Sequence, residues 1–274
     1  MTLPEEKTTA EKVAALGGIP AKVDVEALII SQERLTDGVY RLTAIAPGIA
    51  LRATPGQFVQ IGINKSGTLL RRPLGIAAAN NITGSLSLIY RIAGKGTLAL
   101  SQLKPGDSIK ILGPLGHGFT TKVKKSLLVG GGMGLSPLLY EAEYLQRHRC
   151  NADVLMGGRT EQELFWRQFF KDYVNGIHIT TDDGSLGTKG FVTTVLPEML
   201  QNSDYDLVIA CGPEIMMKNV AAICRELGIA CEVSLERRMG CGLGACLSCS
   251  IDTLSGRRKV CKDGPVFPAE EVFF

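Results

Sequence analysis

The sequence predicts a β plus α/β protein: an N-terminal antiparallel β-barrel, an α/β domain with a parallel sheet, and a small C-terminal module built on cysteines. Three observations carry that reading. From Val23 to about Gly118, short β-rich runs alternate with turn residues. After Lys125 the rhythm becomes strand, helix, strand, helix. Near the C-terminus stands the run Cys241-x4-Cys246-x2-Cys249-x11-Cys261.

Residues 1–22 contain helix formers and a Gly17-Gly18 break but too little apolar periodicity to define a packed element, and are set apart as an N-terminal extension. Residues 23–122 contain Ala27–Ile30, Tyr40–Ile45, Phe58–Ile61 and Leu86–Tyr90, whose spacing is that of strands in a small barrel. Residues 123–234 open with Leu127-Leu128-Val129 and supply further strands at Asp153–Met156, Ile177–Thr180, Leu207–Ala210 and Ala230–Val233. Helices are expected around 136–148, 161–172, 191–201 and 214–227, an alternation that calls for a parallel sheet covered on both faces. Residues 235–274 follow the last of these strands and form the cysteine module.

Composition narrows the function classes. The net charge of +3 arises from 30 basic against 27 acidic side chains, without a long basic block, so nucleic acid is not indicated as a partner. No apolar run reaches membrane-spanning length and the chain opens Met1-Thr2-Leu3-Pro4-Glu5-Glu6-Lys7, so a cytoplasmic protein with no membrane partner is expected. Cys150, Cys211, Cys224 and Cys231 lie in apolar segments and read as small thiols in a reducing compartment. His117, His148 and His178 are too scattered to act together, and no paired carboxylate or Ser/His/Asp set marks a catalytic acid or base.

The four C-terminal cysteines have the spacing of a plant-type [2Fe-2S] loop, with three thiolates in one loop and a fourth at a distance. Zinc is the competing metal, although its ribbons usually use two separate Cys-x2-Cys knuckles. The small residues of Met239-Gly240-Cys241-Gly242-Leu243-Gly244-Ala245-Cys246 would let backbone amides close on inorganic sulfide.

Gly130, Gly131, Gly132 and Gly134 form a turn between the first apolar strand and a helix, where nucleotide-binding sheets receive a pyrophosphate. Ser136 is the expected N-cap and Pro137 the first helical residue. The turn departs from the usual dinucleotide fingerprint, with Pro137 in place of a third glycine and Gly157-Gly158-Arg159 in place of an acidic strand end. Cys211 and Gly212, before Pro213, end another strand on the same edge; Cys211 faces either the ligand or the core. In the barrel, Arg71 and Arg72 stand beside Pro73, Leu74 and Gly75, which suits a diphosphate and a flat ring or, more simply, a solvated strand end. Ile89, Tyr90 and Arg91, then Gly94-Lys95-Gly96-Thr97, again join an aromatic, a cation and a flexible amide-rich loop.

Taken together, these motifs make everything after about residue 22 resemble the ferredoxin-reductase superfamily. Leu235–Cys246 and Val260–Phe267 are similar to the electron-transfer subunits of NAD-dependent dihydroorotate dehydrogenases. The resemblance implies FAD on Arg72, Pro73, Leu74, Gly75, Ile89, Tyr90, Arg91, Gly96 and Thr97, and a [2Fe-2S] cluster on Cys241, Cys246, Cys249 and Cys261. It also implies NAD at Gly130–Gly134 and near Cys211, with Asp182–Ser185 in a nearby loop; Arg159 leaves NADP open on the residues alone. Gly75 departs from the family, which commonly has Ser or Thr there. The implied role is an oxidoreductase subunit of pyrimidine biosynthesis. Electrons would pass from an FMN-containing catalytic partner, in a heterotetramer, through [2Fe-2S] and FAD to NAD+. Related modules serve sulfite reductases, hydrogenases or ferredoxin, and a zinc-binding structural or nucleotide-sensing protein is the reading from a different class.

Overall fold

The computed structural model describes residues 22–63, 67 and 69–273, so nearly all of the N-terminal extension lies outside the described residues. Six strands close into an antiparallel barrel: β1 (Val23–Thr36), β2 (Val39–Ile45), β3 (Phe58–Gly62), β4 (Arg72–Asn80), β5 (Ser85–Arg91) and β6 (Ser108–Leu115), in the order β1-β2-β5-β4-β3-β6. Alternate residues fill the interior, among them Ile29, Leu42, Val59, Ile61, Ile76, Leu88 and Ile111. Helix α1 (Lys95–Ser101) connects β5 to β6. On β3 the outward residues Phe58 and Gln60 are buried as well, because the rest of the chain packs against that wall.

The second layer is a seven-stranded sheet made of β7 (Lys125–Gly131), β8 (Asn151–Gly158), β9 (Gly176–Thr181), β10 (Thr188–Lys189), β11 (Leu207–Cys211), β12 (Ala230–Ser234) and β15 (Val266–Pro268). Its order is β10-β9-β8-β7-β11-β12-β15, parallel except for β15. The chain reverses direction across the sheet between β7 and β11, the crevice where open α/β sheets bind ligands. Helices α2 (Leu135–Arg147), α3 (Val192–Gln201) and α4 (Glu214–Glu226) cover the faces. The helix expected over 161–172 is instead a 3-10 turn at Glu161–Leu164 and one α-turn at Arg167–Phe170. Leu164 and Trp166, two residues apart, are both buried, and an unbroken helix would point them in divergent directions.

Helix α2 is shared between the layers. Tyr140 donates its hydroxyl to the Ala53 carbonyl at 2.9 Å, and Ser136 donates to the Ile89 carbonyl at 3.4 Å. The cysteine segment carries a hairpin, β13 (Ser250–Thr253) with β14 (Gly256–Lys259), and helix α5 (Val260–Asp263). It then returns as β15 against β12, while His117 N–H donates to the Gly264 carbonyl at 2.7 Å. The segment is thereby joined to both the sheet and the end of the barrel.

Candidate functional site

At the switch point two turns meet. A Cβ on Gly134 would collide with the Cys211 carbonyl, so close backbone approach requires glycine there, and one on Gly131 would crowd the Met216 sulfur and lie 3.1 Å from Pro213 Cδ. Gly132 has φ +55° and faces open space, which leaves its amide edge accessible to a ligand. Ser136 is not the N-cap: a 3-10 turn at Gly132–Gly134 runs directly into α2, Gly134 is the cap, and the Ser136 hydroxyl is used on the barrel. Pro137 accordingly falls at the third helical position rather than the first. Cys211 is buried and its sulfur sits 3.9 Å from the Ser234 carbonyl. Burial, with the Glu236 carboxylate nearby, pushes its thiol up to about 12, so it stays neutral.

In the barrel, Arg72 begins β4 and its guanidinium lies directly on Gly96, where any Cβ would overlap it. Thr97 Oγ1 accepts the Ala93 N–H at 2.8 Å and the Gly94 N–H at 3.2 Å, which fixes the loop entering α1. A guanidinium held over the backbone at the start of α1 has donors that a diphosphate needs, so these residues fit FAD. Pro73 and Leu74 continue β4, and a Cβ at Gly75 would lie in ordinary van der Waals contact with Pro137, 3.7 Å from its Cβ. Ile89 packs toward α2, whereas the Tyr90 ring faces the barrel interior and its hydroxyl receives the Gln32 amide at 2.8 Å. Position 90 therefore offers a cofactor its backbone and not its ring; Arg91, next along β5, is exposed.

Beyond β8, Arg159 is held by Glu163: its backbone N–H and Nε donate to the carboxylate at 3.0 and 2.8 Å. The missing acidic residue at the second strand end is thus supplied five residues after Gly158, and sequence reading overlooked it because the fingerprint expects it at the strand itself. Asp183, in the loop after β9, accepts the Ser185 N–H at 2.9 Å. Two open clefts of about 820 and 560 Å³ lie at the β9–β10 edge, away from this turn.

The four cysteines of the C-terminal segment fall into two pairs. Cys241 and Cys246 lie within hydrogen-bond reach of one another, as do Cys249 and Cys261. Among the described residues no group of three or more metal-binding side chains surrounds a single point. Backbone N–H groups point at sulfur: Leu243 to Cys241 Sγ at 3.3 Å and Cys261 to Cys249 Sγ at 3.4 Å. The Ser248 hydroxyl, 3.2 Å away, and the Ser248 amide bring the Cys246 thiol down to about 6. Burial raises the Cys241 thiol, but the amides of Leu243, Cys246 and Ala245 outweigh it. Amides converging on sulfur suit an anionic cluster, so the residues fit [2Fe-2S]. Cys246 is exposed, with Leu243 and Leu247 46 % and 61 % exposed beside it, while Cys249 and Cys261 are buried.

Comparison with known proteins follows the same division. Residues 28–119 match an oxidoreductase FAD-binding domain, residues 128–222 an oxidoreductase NAD-binding domain, and residues 236–273 the iron-sulfur cluster binding domain of dihydroorotate dehydrogenase B. The electron transfer subunit of dihydroorotate dehydrogenase B (NAD(+)) from Desulforamulus reducens is 37% identical over 254 residues, 90% of this chain and 97% of the relative. The counterpart in Clostridium acetobutylicum is 39% identical over 241 residues, 87% and 93% of the two chains. Among solved structures, one of an NADH-dependent reduced ferredoxin-NADP oxidoreductase superposes with TM-score 0.82 at 32% identity, covering 93% of this chain and 91% of that one. The ferredoxin reductase of carbazole 1,9a-dioxygenase shares the fold at TM-score 0.63 and 22% identity, over 76% and 67% of the chains.

Proposed function

The chain belongs to the family of electron transfer subunits of dihydroorotate dehydrogenase B (NAD(+)), and from that membership we propose how its residues divide the work. It is an oxidoreductase subunit with FAD, NAD and [2Fe-2S] sites, and its family name implies a catalytic partner subunit. When bound, FAD supplies the conversion between one-electron traffic and the two-electron hydride that nicotinamide requires.

In this reading Arg72, with the Gly96 and Thr97 amides, grips the FAD diphosphate, while the backbone of Pro73, Leu74 and Gly75 borders the flavin ring and Ile89 to Arg91 borders the rest. Gly130, Gly131, Gly132 and Gly134 receive the NAD pyrophosphate. Cys211 and Gly212 close the nicotinamide side; the neutral, buried Cys211 thiol keeps charge and water away from the hydride path. Glu163 orders Arg159 beside the adenosine ribose, where a 2′-phosphate would meet a carboxylate. Cys241, Cys246, Cys249 and Cys261 would hold the [2Fe-2S] cluster, which supplies one-electron transfer.

The observation that carries this division is the position of the cysteine segment. It packs on the outer wall of β3, and β3 is paired to β4, where Arg72 to Gly75 stand. The exposed Leu243 and Leu247 beside Cys246 support docking of an FMN-containing catalytic subunit at this point, in a cytoplasmic heterotetramer. The ferredoxin-linked structure, similar over nearly the whole chain, favours one alternative, a reductase serving ferredoxin. Co-expression with the catalytic subunit separates the two. Orotate formation with NAD+ is expected only from the pair; a pair that binds but yields no orotate while reducing ferredoxin would reverse the assignment.

A further inference from the structure

Gln60 is a buried polar residue whose placement the proposed division of sites leaves unexplained. It lies on β3, is fully buried, and neither Oε1 nor Nε2 has a hydrogen-bond partner. Leaving a carboxamide so placed unpaired is costly, and an apolar residue would pack the same space without that penalty. Alternation along β3 sends Val59 and Ile61 into the barrel and turns Gln60 out toward the cysteine loop. There it lies against Gly242, the residue after Cys241: a Cβ on Gly242 would be 2.9 Å from Gln60 Nε2 and 2.8 Å from its Cγ. Gly242 also has φ +71°, so the loop is bent at the point where the amide reaches it. Across the ladder Gln60 pairs with Pro73, a residue of the flavin-bordering segment, which has no N–H to offer. Phe58 and Leu115 nearby are apolar.

We propose that Gln60 is a positioning residue for the cluster, its Nε2 donating an N–H toward the sulfur at the Cys241 side and thereby favouring the reduced cluster. The proposal rests on the [2Fe-2S] reading of the four cysteines. Adding an electron makes an already anionic cluster more negative, and a hydrogen-bond donor to its sulfur stabilises that form and raises the potential. Because the same residue touches the loop and pairs with the flavin strand, it also sets the spacing between the two sites.

An anaerobic redox titration of the holoenzyme, reading the cluster by electron paramagnetic resonance and the flavin by absorption, tests this. Gln60→Met keeps the length of the side chain without a donor, and Gln60→His keeps a donor. In Gln60→Met the reduced-to-oxidised ratio of the cluster at fixed potential should fall about tenfold, a shift of about 59 mV for one electron, with the flavin unmoved; Gln60→His should recover most of the loss. If Gln60→Met does not assemble a cluster, Gln60→Asn, whose amide falls a methylene short of Gly242, should shift the ratio in the same direction. An unchanged cluster potential in an assembled donorless variant, or a shift confined to the flavin, would overturn the proposal. A wild-type protein without a [2Fe-2S] signal would overturn the reading beneath it as well, and so distinguishes the two failures.

Discussion

In the proposed NAD site, Arg159 and its partner Glu163 would decide which nicotinamide cofactor the end of β8 accepts. The guanidinium is 76 % exposed yet engaged by a single carboxylate, which competes with any 2′-phosphate for the same N–H groups. Glu163→Gln leaves Arg159 without that counter-charge. The kcat/KM for NADP relative to NAD should then rise about three- to tenfold, a modest change because a solvent-screened pair holds weakly; an unchanged ratio in steady-state kinetics would remove Arg159 from the ribose site. At this scale the run Cys241-x4-Cys246-x2-Cys249-x11-Cys261, proposed to hold the cluster, is legible in the sequence by its local spacing. Glu163 and Gln60 are not, since each acquires meaning only through a partner across a loop or a barrel wall. Tyr90 shows the reverse difficulty: its aromatic character invited a cofactor contact, but the strand's inward phase and Gln32 take the ring into the barrel.

Helix α2 joins the two layers and has a carboxylic acid in its buried stripe. Glu141 is fully buried among Leu138, Leu139, Ala142 and Leu145, and neither carboxyl oxygen has a partner. Burial, together with the charge of Glu232, raises its pKa to about 8 from the ordinary 4.5. Glu232 itself accepts the Thr120 N–H at 2.9 Å. With the folded-state pKa above the unfolded one, the folded protein binds the extra proton. That contribution is complete below the unfolded pKa and is lost as pH rises through the folded value, at up to about 1.4 kcal/mol per pH unit. The melting temperature of wild type should therefore fall between about pH 4.5 and about pH 8 and level off above that, and Glu141→Gln should flatten that slope. Parallel slopes in thermal melts would show that Glu141 is not the titrating group. Helix α2 itself was readable from the apolar spacing after the glycine turn. Its cap was not, because the 3-10 turn at Gly132–Gly134 begins the helix early and frees Ser136 to tie the helix to Ile89. The unbroken helix over 161–172 failed for a related reason: burial of both Leu164 and Trp166, which an unbroken helix would point in divergent directions, outweighed local propensity.

Across the whole molecule, the order barrel, sheet, cysteine segment is visible in the sequence as a change of hydrophobic period from two to helical alternation, followed by a dense cysteine run. What the sequence does not reveal is how the last segment is joined to the others. Strand β15 pairs with β12 through Glu232, Val233 and Ser234, and Phe58 of the barrel shares a core with Cys249, Cys261 and Phe267. Such contacts, long-range in sequence, place the thiol pairs against the wall that bears the flavin segment, and from that placement follows a division between a hydride site and a one-electron site. The most direct test of the division is Cys249→Ala in the complex with the catalytic subunit, assayed per bound flavin for two reactions. Dihydroorotate-to-NAD+ transfer should be abolished with loss of the [2Fe-2S] spectrum, while NADH-dependent reduction of a dye through FAD should persist near the wild-type rate. Equal loss of both activities at full flavin content would contradict it.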